Sequence, residues 1–359
     1  MALLPTLNAP PSAASPIYSL TEIGNFGGDT FAWGINNSGQ VSGYSYDTSV
    51  GQNRAFLFGV GVTTNLGTSG GTSSTAYGLN DAGQVAGSIV DGPQQYRTTI
   101  WSNGATLNLG TLGGPWGAAL DINNFGQVTG ASTTSTTFTA VDYEAHAFFY
   151  TNGLMTDLGT LGGPNSEGRA INDLGDVAGD ASLSFSNIGL AHAFLYSVGA
   201  MQDLGTLGTG SVSIAYDINN LKQVVGTSQT NPINGNQHAF SWRGGIMSDL
   251  GVLPGAVASA AYGINNKGEI VGHDNADRAI LWLDNLSFDL STLLDSSGAG
   301  WTLEAATDVN DSGQIVGFGL NGEGQTRAFV LTQVPEPNTM ALLAIGAGAA
   351  AMRKYRNRK

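Results

Sequence analysis

Cysteine is missing from all 359 residues, which excludes disulfides, zinc–thiolate sites and a thiol nucleophile. Charge is scarce, with Asp, Glu, Lys and Arg making up 11% of the chain. Basic residues are the scarcer half. Lys and Arg total 13, and five of them, Arg353, Lys354, Arg356, Arg358 and Lys359, fall in the last seven positions, leaving eight against 27 acids. A body this acidic lacks the basic surface that phosphates require and argues against nucleic acid as a partner. It suits an ionic, polysaccharide-rich medium. Histidines number only four, and no H-E-x-x-H, P-loop or nucleophile-elbow motif stands out.

Glycine, in contrast, is abundant at 53, and Ser, Thr and Asn are frequent. That composition fits short strands joined by tight turns. Seven copies of one phrase organise it: INNSGQVSG from Ile35, LNDAGQVAG from Leu79, INNFGQVTG from Ile122, INDLGDVAG from Ile171, INNLKQVVG from Ile218, INNKGEIVG from Ile264 and VNDSGQIVG from Val309. Their spacings are 44, 43, 49, 47, 46 and 45 residues. A period of about 40–50 built from short strands predicts an all-β fold, a β-propeller of seven four-stranded antiparallel blades. It fills residues 18–333 as one domain, between a flexible N-terminal segment (1–17) and a tail (334–359).

The third copy shows the blade. Ala118–Ile122 and Gln127–Gly130 flank an Asn-Asn-Phe-Gly turn, and His146–Tyr150 and Leu154–Leu158 flank Thr151-Asn152-Gly153. Third strands start at Arg54, Arg97, His146, His192, His238, Arg278 and Arg327. Eleven residues on, the first six carry Asn65, Asn108, Asp157, Asp203, Asp249 and Asp289. This spacing predicts cross-strand pairs, His146 with Asp157, His192 with Asp203, His238 with Asp249 and Arg278 with Asp289. The seventh copy lacks its acid, while Tyr18–Gly24 matches an orphan fourth strand with Glu22 at the acid position. Ring closure follows as an expectation, with the N-terminal strand completing the last blade and Glu22 beside Arg327.

Loops between second and third strands vary most. Thr133–Glu144, Ser182–Ala191 and Gln229–Gln237 are long and Asp274–Asp277 is short. Variable loops on a rigid scaffold predict the binding face, with Tyr46, Tyr96, Phe138, Tyr143 and Phe185 as its aromatic surface. A catalytic reading needs acids or a base at unrepeated positions, and Asp142, Glu144, His273, Asp274 and Glu323 are that set. The three repeated histidines alternate with Arg, which cannot replace a neutral imidazole, so they are read as structural rather than as metal ligands or bases. Asp121, Asp217 and Asp308 open stretches resembling partial calcium loops, but each runs straight into a strand, so hairpin turns are expected there and neither metal nor cofactor is.

The tail breaks the β pattern. Pro335-Glu336-Pro337 precedes an apolar run, Met340–Met352, and a basic end with Arg353 and Lys354. As a helix the run would span about 20 Å against roughly 30 Å of hydrocarbon core, so it predicts a short, transient membrane helix with a cytoplasmic basic end. The three-part order resembles the PEP-CTERM sorting signal of exported bacterial proteins. The resemblance implies processing by an exosortase-type protease near Pro335-Glu336-Pro337 and release to a cell surface rich in exopolysaccharide. His146-Ala147-Phe148, His192-Ala193-Phe194 and His238-Ala239-Phe240, with Asp-Leu-Gly-Thr-Leu at 157–161 and 203–207, resemble the HAF-repeat family of extracellular proteins. Met1–Ser19 has no Lys or Arg and is broken by Pro5, Pro10 and Pro11, so export predicts a leader upstream of this start. The expected function is an exported, surface-associated propeller that binds or structures exopolysaccharide without catalysis. The alternative is a polysaccharide lyase or glycosidase on the variable-loop face or in the central channel.

Overall fold

The computed structural model describes residues 16–335, except 94, 136–143, 186–188 and 234. Seven sheets of four antiparallel strands form a β-propeller. The first strand after each linker is innermost, and successive innermost strands touch one another around the whole ring. The ring closes through Tyr18–Glu22, which pairs with Thr326–Gln333 as the outer strand of blade seven, Leu20 opposite Leu331 and Glu22 opposite Phe329. A connector of two 3-10 turns, Leu290–Leu293 and Ser296–Gly298, precedes that blade and bonds to the closing strand through Leu20 and Ser297. The expected C-terminal helix over 340–352 lies outside the described residues, as do residues 1–15. Among the described residues no helix is long and apolar enough to cross a membrane.

The repeated residues explain the blades. Phe56, Phe148, Phe194, Phe240 and Phe329 are fully buried between sheets, each opposite the glycine that ends the phrase. Those glycines have ordinary backbone angles, and their reason is space. A Cβ on Gly130 would collide with the Ala118 carbonyl oxygen, and the same clash recurs at Gly179, Gly226 and Gly317. The turn glycines do need positive φ, +73° at Gly126. Copy five places Lys222 there at φ 57°, and its ammonium reaches Asp176 and Ser197.

The first Asn of each phrase binds its own turn and the next blade. Asn123 accepts from the Phe125 and Gln127 amides, and donates to Gln127 and to the Asn172 carbonyl of blade four at 2.9 Å. The same bond to the following blade recurs seven times, and the last runs from Asn310 back to the Asn36 carbonyl. The second residue makes a parallel ring. Each backbone amide donates to the next blade's Asn or Asp side chain, from Asn37 to Asp81 onward and finally from Asp311 to Asn37. Two closed hydrogen-bond rings therefore lock the narrow end of the central channel.

Candidate ligand-binding channel

Beyond those rings the channel widens into a cavity of about 500 Å3. A β-bulge shapes it. In all seven innermost strands the register slips by one residue just before the phrase, between Ala119 and Asp121 in blade three, between Ala76 and Leu79 in blade two and at the matching place in blades one, four, five, six and seven. A regular strand turns neighbouring residues to opposite faces, whereas a bulge re-aims them. Both residues preceding the phrase consequently line the channel in most blades.

The outer of these two positions holds Trp33, Tyr77, Tyr216 and Tyr262, with Leu120, Arg169 and Thr307 completing the circle. The Tyr216 and Tyr262 rings meet edge to face at 4.9 Å. Tyr262 also stacks on His273 at 5.0 Å, its hydroxyl 3.0 Å from Nε2. The Arg169 guanidinium stands 5.4 Å from the Tyr216 ring centre and is gripped by two carboxylates, Glu167 and Asp180, each at 2.7 Å. The Trp33 indole N–H is buried and donates to no protein atom.

The inner position holds Asp121, Asp217 and Asp308 in blades three, five and seven, and Gly or Ala elsewhere. Each carboxylate accepts from the amide after it and from the first phrase amide of the next blade, Asp121 from Ile122 and Ile171, Asp217 from Ile218 and Ile264, Asp308 from Val309 and Ile35. Protein surrounds all three, though each keeps part of its surface on the channel. Burial pushes Asp121 up to about 7 and Asp308 up to about 6, and burial with Asp308 nearby raises Asp217 too; the amide bonds oppose the rise. Burial also raises Glu167, and lifts Tyr262 to about 12. It lowers His273, against the pull of Asp274 and Asp277. Burial disfavours the charge on Arg169, but Glu167 and Asp180 outweigh it and hold that group above its ordinary value. Among the described residues no three His, Cys, Asp or Glu side chains are placed to hold a metal ion.

The residues singled out from sequence fall elsewhere. His146, His192 and His238 stand within 2.9 Å of Asp157, Asp203 and Asp249 on the outer hairpins. Glu22 stands 3.5 Å from Arg327, whose guanidinium also donates to the Gly28 carbonyl and Gln325. Arg278 does not meet Asp289. The short loop of blade six brings Asp274 to Arg278 at 2.6 Å, and Asp289 caps the following 3-10 turn at Ser291. Arg97 likewise takes Asp91 at 2.6 Å, and Arg54 the Thr72 carbonyl at 2.7 Å. What all six acid/amide positions share is the amide two residues on: Asn65 with Gly67, Asn108 with Gly110, Asp157 with Gly159, Asp203 with Gly205, Asp249 with Gly251 and Asp289 with Ser291. That local turn is their common task.

Of the expected aromatic face, Tyr46 and Phe185 are exposed on blades one and four, and Tyr96 leans on Trp116 at 6.2 Å. Phe138 and Tyr143 lie outside the described residues, as do Asp142, Glu336, Pro337, Arg353 and Lys354, whereas Pro335 is exposed. Of the expected catalytic set, Asp274 is buried and ion-paired, Glu144 and Glu323 are exposed, and His273 sits inside the strand Ile270–Asp274, turned to Tyr262, and not in a loop. The sequence reading missed the channel layer. Its signal is a column two residues before the phrase that differs between copies while its neighbours repeat.

Comparison with known proteins adds the tail and the architecture. The family model of the PEP-CTERM protein-sorting motif matches residues 333–358. No curated protein matches the chain. Among solved structures, the acylaminoacyl peptidase of Pyrococcus horikoshii superposes with a TM-score of 0.52 at 8% identity, over 90% of this chain and 53% of that one. TolB from Acinetobacter baumannii gives a TM-score of 0.46 at 11% identity, over 86% of this chain and 65% of that one. This chain therefore spans less than two thirds of either. The likeness is one of fold alone. The sorting motif implies that this β-propeller is an exported protein.

Proposed function

We propose that the chain is a cell-surface or matrix protein of the HAF-repeat kind that binds exopolysaccharide without cleaving it, and that its binding site is the channel cavity. The tail holds it transiently at the inner membrane until an exosortase-type protease cuts near Pro335. The observation that carries the binding reading is the unrepeated layer of Trp33, Tyr77, Tyr216 and Tyr262 around a cavity of about 500 Å3. Flat aromatic faces beside a few polar groups are the ordinary make-up of a small-ligand site, and they suit the C–H faces and hydroxyls of a sugar ring.

A glycan array probed with residues 16–335 tests this. Wild-type protein should retain a set of saccharides and Trp33→Ala should lose about tenfold or more in affinity for them. Equal retention by both would remove the channel from the binding event. One observation favours catalysis. The Tyr262 hydroxyl and the neutral His273 imidazole form an acid–base pair at 3.0 Å beside the cavity, as a polysaccharide lyase or glycosidase would need. Shortening of polysaccharide chains on incubation, lost in His273→Ala, would establish that reading in place of the first.

A further inference from the structure

The cavity's charge narrows the class of saccharide. Its lining brings Asp121, Glu167, Asp217 and Asp308 together with a single cation, Arg169. That cation is already shared between Glu167 and Asp180, each at 2.7 Å. No basic group of the lining is left for the three aspartates. A uronate or sulfate entering the channel would meet these acids with no cation to receive it, whereas an ammonium there would draw them to their ionised form. A cation would meet both acids and aromatic faces, the combination that recognises ammonium groups.

We infer that the channel takes a protonated primary amine carried on a sugar ring, as in a deacetylated hexosamine glycan. This deepens the binding reading given above and rests on it. The ring lies against the aromatic layer of Trp33, Tyr77, Tyr216 and Tyr262 that lines the cavity. The ammonium lies deeper, toward the aspartates just inside the Asn rings. The aspartates keep their backbone bonds to the next blade, so they act as fixed acceptors and need no reorganisation.

Isothermal titration calorimetry on residues 16–335 tests this, at low salt and near-neutral pH. Four probes serve: a β-1,4-linked glucosamine oligomer, its N-acetylated counterpart, a uronic acid oligomer and spermidine. The glucosamine oligomer should bind about tenfold or more tighter than each of the others, and added salt should weaken it. Leu120→Lys, which sets a cation beside Asp121 in the lining, should weaken it about a hundredfold. Glu167→Gln, which leaves the blade-to-blade bonds intact, should weaken it several-fold and serves if the first variant misfolds. Equal binding of the N-acetylated oligomer would overturn the amine selection and leave sugar binding standing. Equal binding of spermidine would overturn the role of the sugar. Tightest binding of the uronate would overturn the charge argument, and binding of no saccharide would bring down the binding reading itself.

Discussion

The two ends of the central channel are built from adjacent residues of the same strands, yet they follow opposite rules. At the narrow end every blade supplies the same Asn and its Asn or Asp neighbour, and every such group is spent on the blade beside it. Three residues before that Asn the blades diverge into Trp, Tyr, Arg, Leu or Thr facing a cavity. A repeat protein can place an identical residue in every unit only where each unit has the same neighbour to satisfy. A ligand without sevenfold symmetry needs unlike groups. The difference separates scaffold from site within a span of about 10 Å, the length of three strand residues.

The sharpest test of that division substitutes one residue in each region. Asn123 is buried and makes four hydrogen bonds. Asn123→Ala should strand the Phe125 and Gln127 amides and remove the bond to the Asn172 carbonyl, which keeps only the Gly175 amide, and cost about 3–5 kcal/mol. Tyr262→Phe removes one hydroxyl contact in the cavity and should cost about 1 kcal/mol or less. Urea midpoints of the two variants measure the contrast. Equal losses would erase the distinction between the two ends.

The three aspartates stand on the border between these regions, and pH probes them. Their folded values lie above the ordinary 3.8, about 7 for Asp121 and about 6 for Asp308, with Asp217 also raised. A group raised in this way contributes stability that is complete below its unfolded value and is lost as pH climbs through the folded one. His273, held below 6.5, pulls the other way on the acid side. Asp176, lowered because its bonds to Ser197, Asn172 and Lys222 outweigh burial, acts at lower pH still. From roughly pH 6.5 to 8, above the range of His273, the aspartates and the neighbouring Glu167, also raised by burial, lose protons in the folded protein, and stability should fall there by an amount on the order of a few kcal/mol. Asp121→Asn should start less stable, having lost a clamp bond, and show a shallower fall. A flat profile in the parent protein would mean that the carboxylates are ionised throughout.

Much of this scaffold was legible in the chain. The spacing of the phrase announces seven blades, and the orphan strand at Tyr18 announces its partner near residue 330, because both rest on local patterns repeated with one copy out of place. The channel layer was not legible by the same route. Alternation puts Leu120 and Asp121 on opposite faces, and only the bulge between Ala119 and Asp121 turns both inward. Nothing in the local sequence marks that slip. The Arg278–Asp289 expectation failed for a related reason. Spacing fixes which backbone positions lie close, but a loop shortened to four residues brought Asp274 closer still.

The smallest expected effect concerns the outer hairpins, where the repeat carries both a pair and a turn. Asp157 holds His146 at 2.8 Å and also accepts from the Gly159 amide at 2.7 Å. If the cross-strand pair were the reason for the acid, His146→Ala and Asp157→Ala would cost the same. The six copies argue otherwise, since the turn bond persists where the pair does not, at Asn65, Asn108 and Asp289. His146→Ala should therefore cost about 0.5 kcal/mol, as befits a half-exposed pair, and Asp157→Ala about 1 kcal/mol. Asp157→Asn keeps the turn acceptor, as blades one and two do, and should match His146→Ala. A double-mutant cycle on the two residues, read by urea midpoints, gives the coupling directly. A coupling as large as the whole Asp157→Ala loss would return the acid's role to the pair, and would make the outer hairpins obey the same neighbour-to-neighbour logic as the Asn rings.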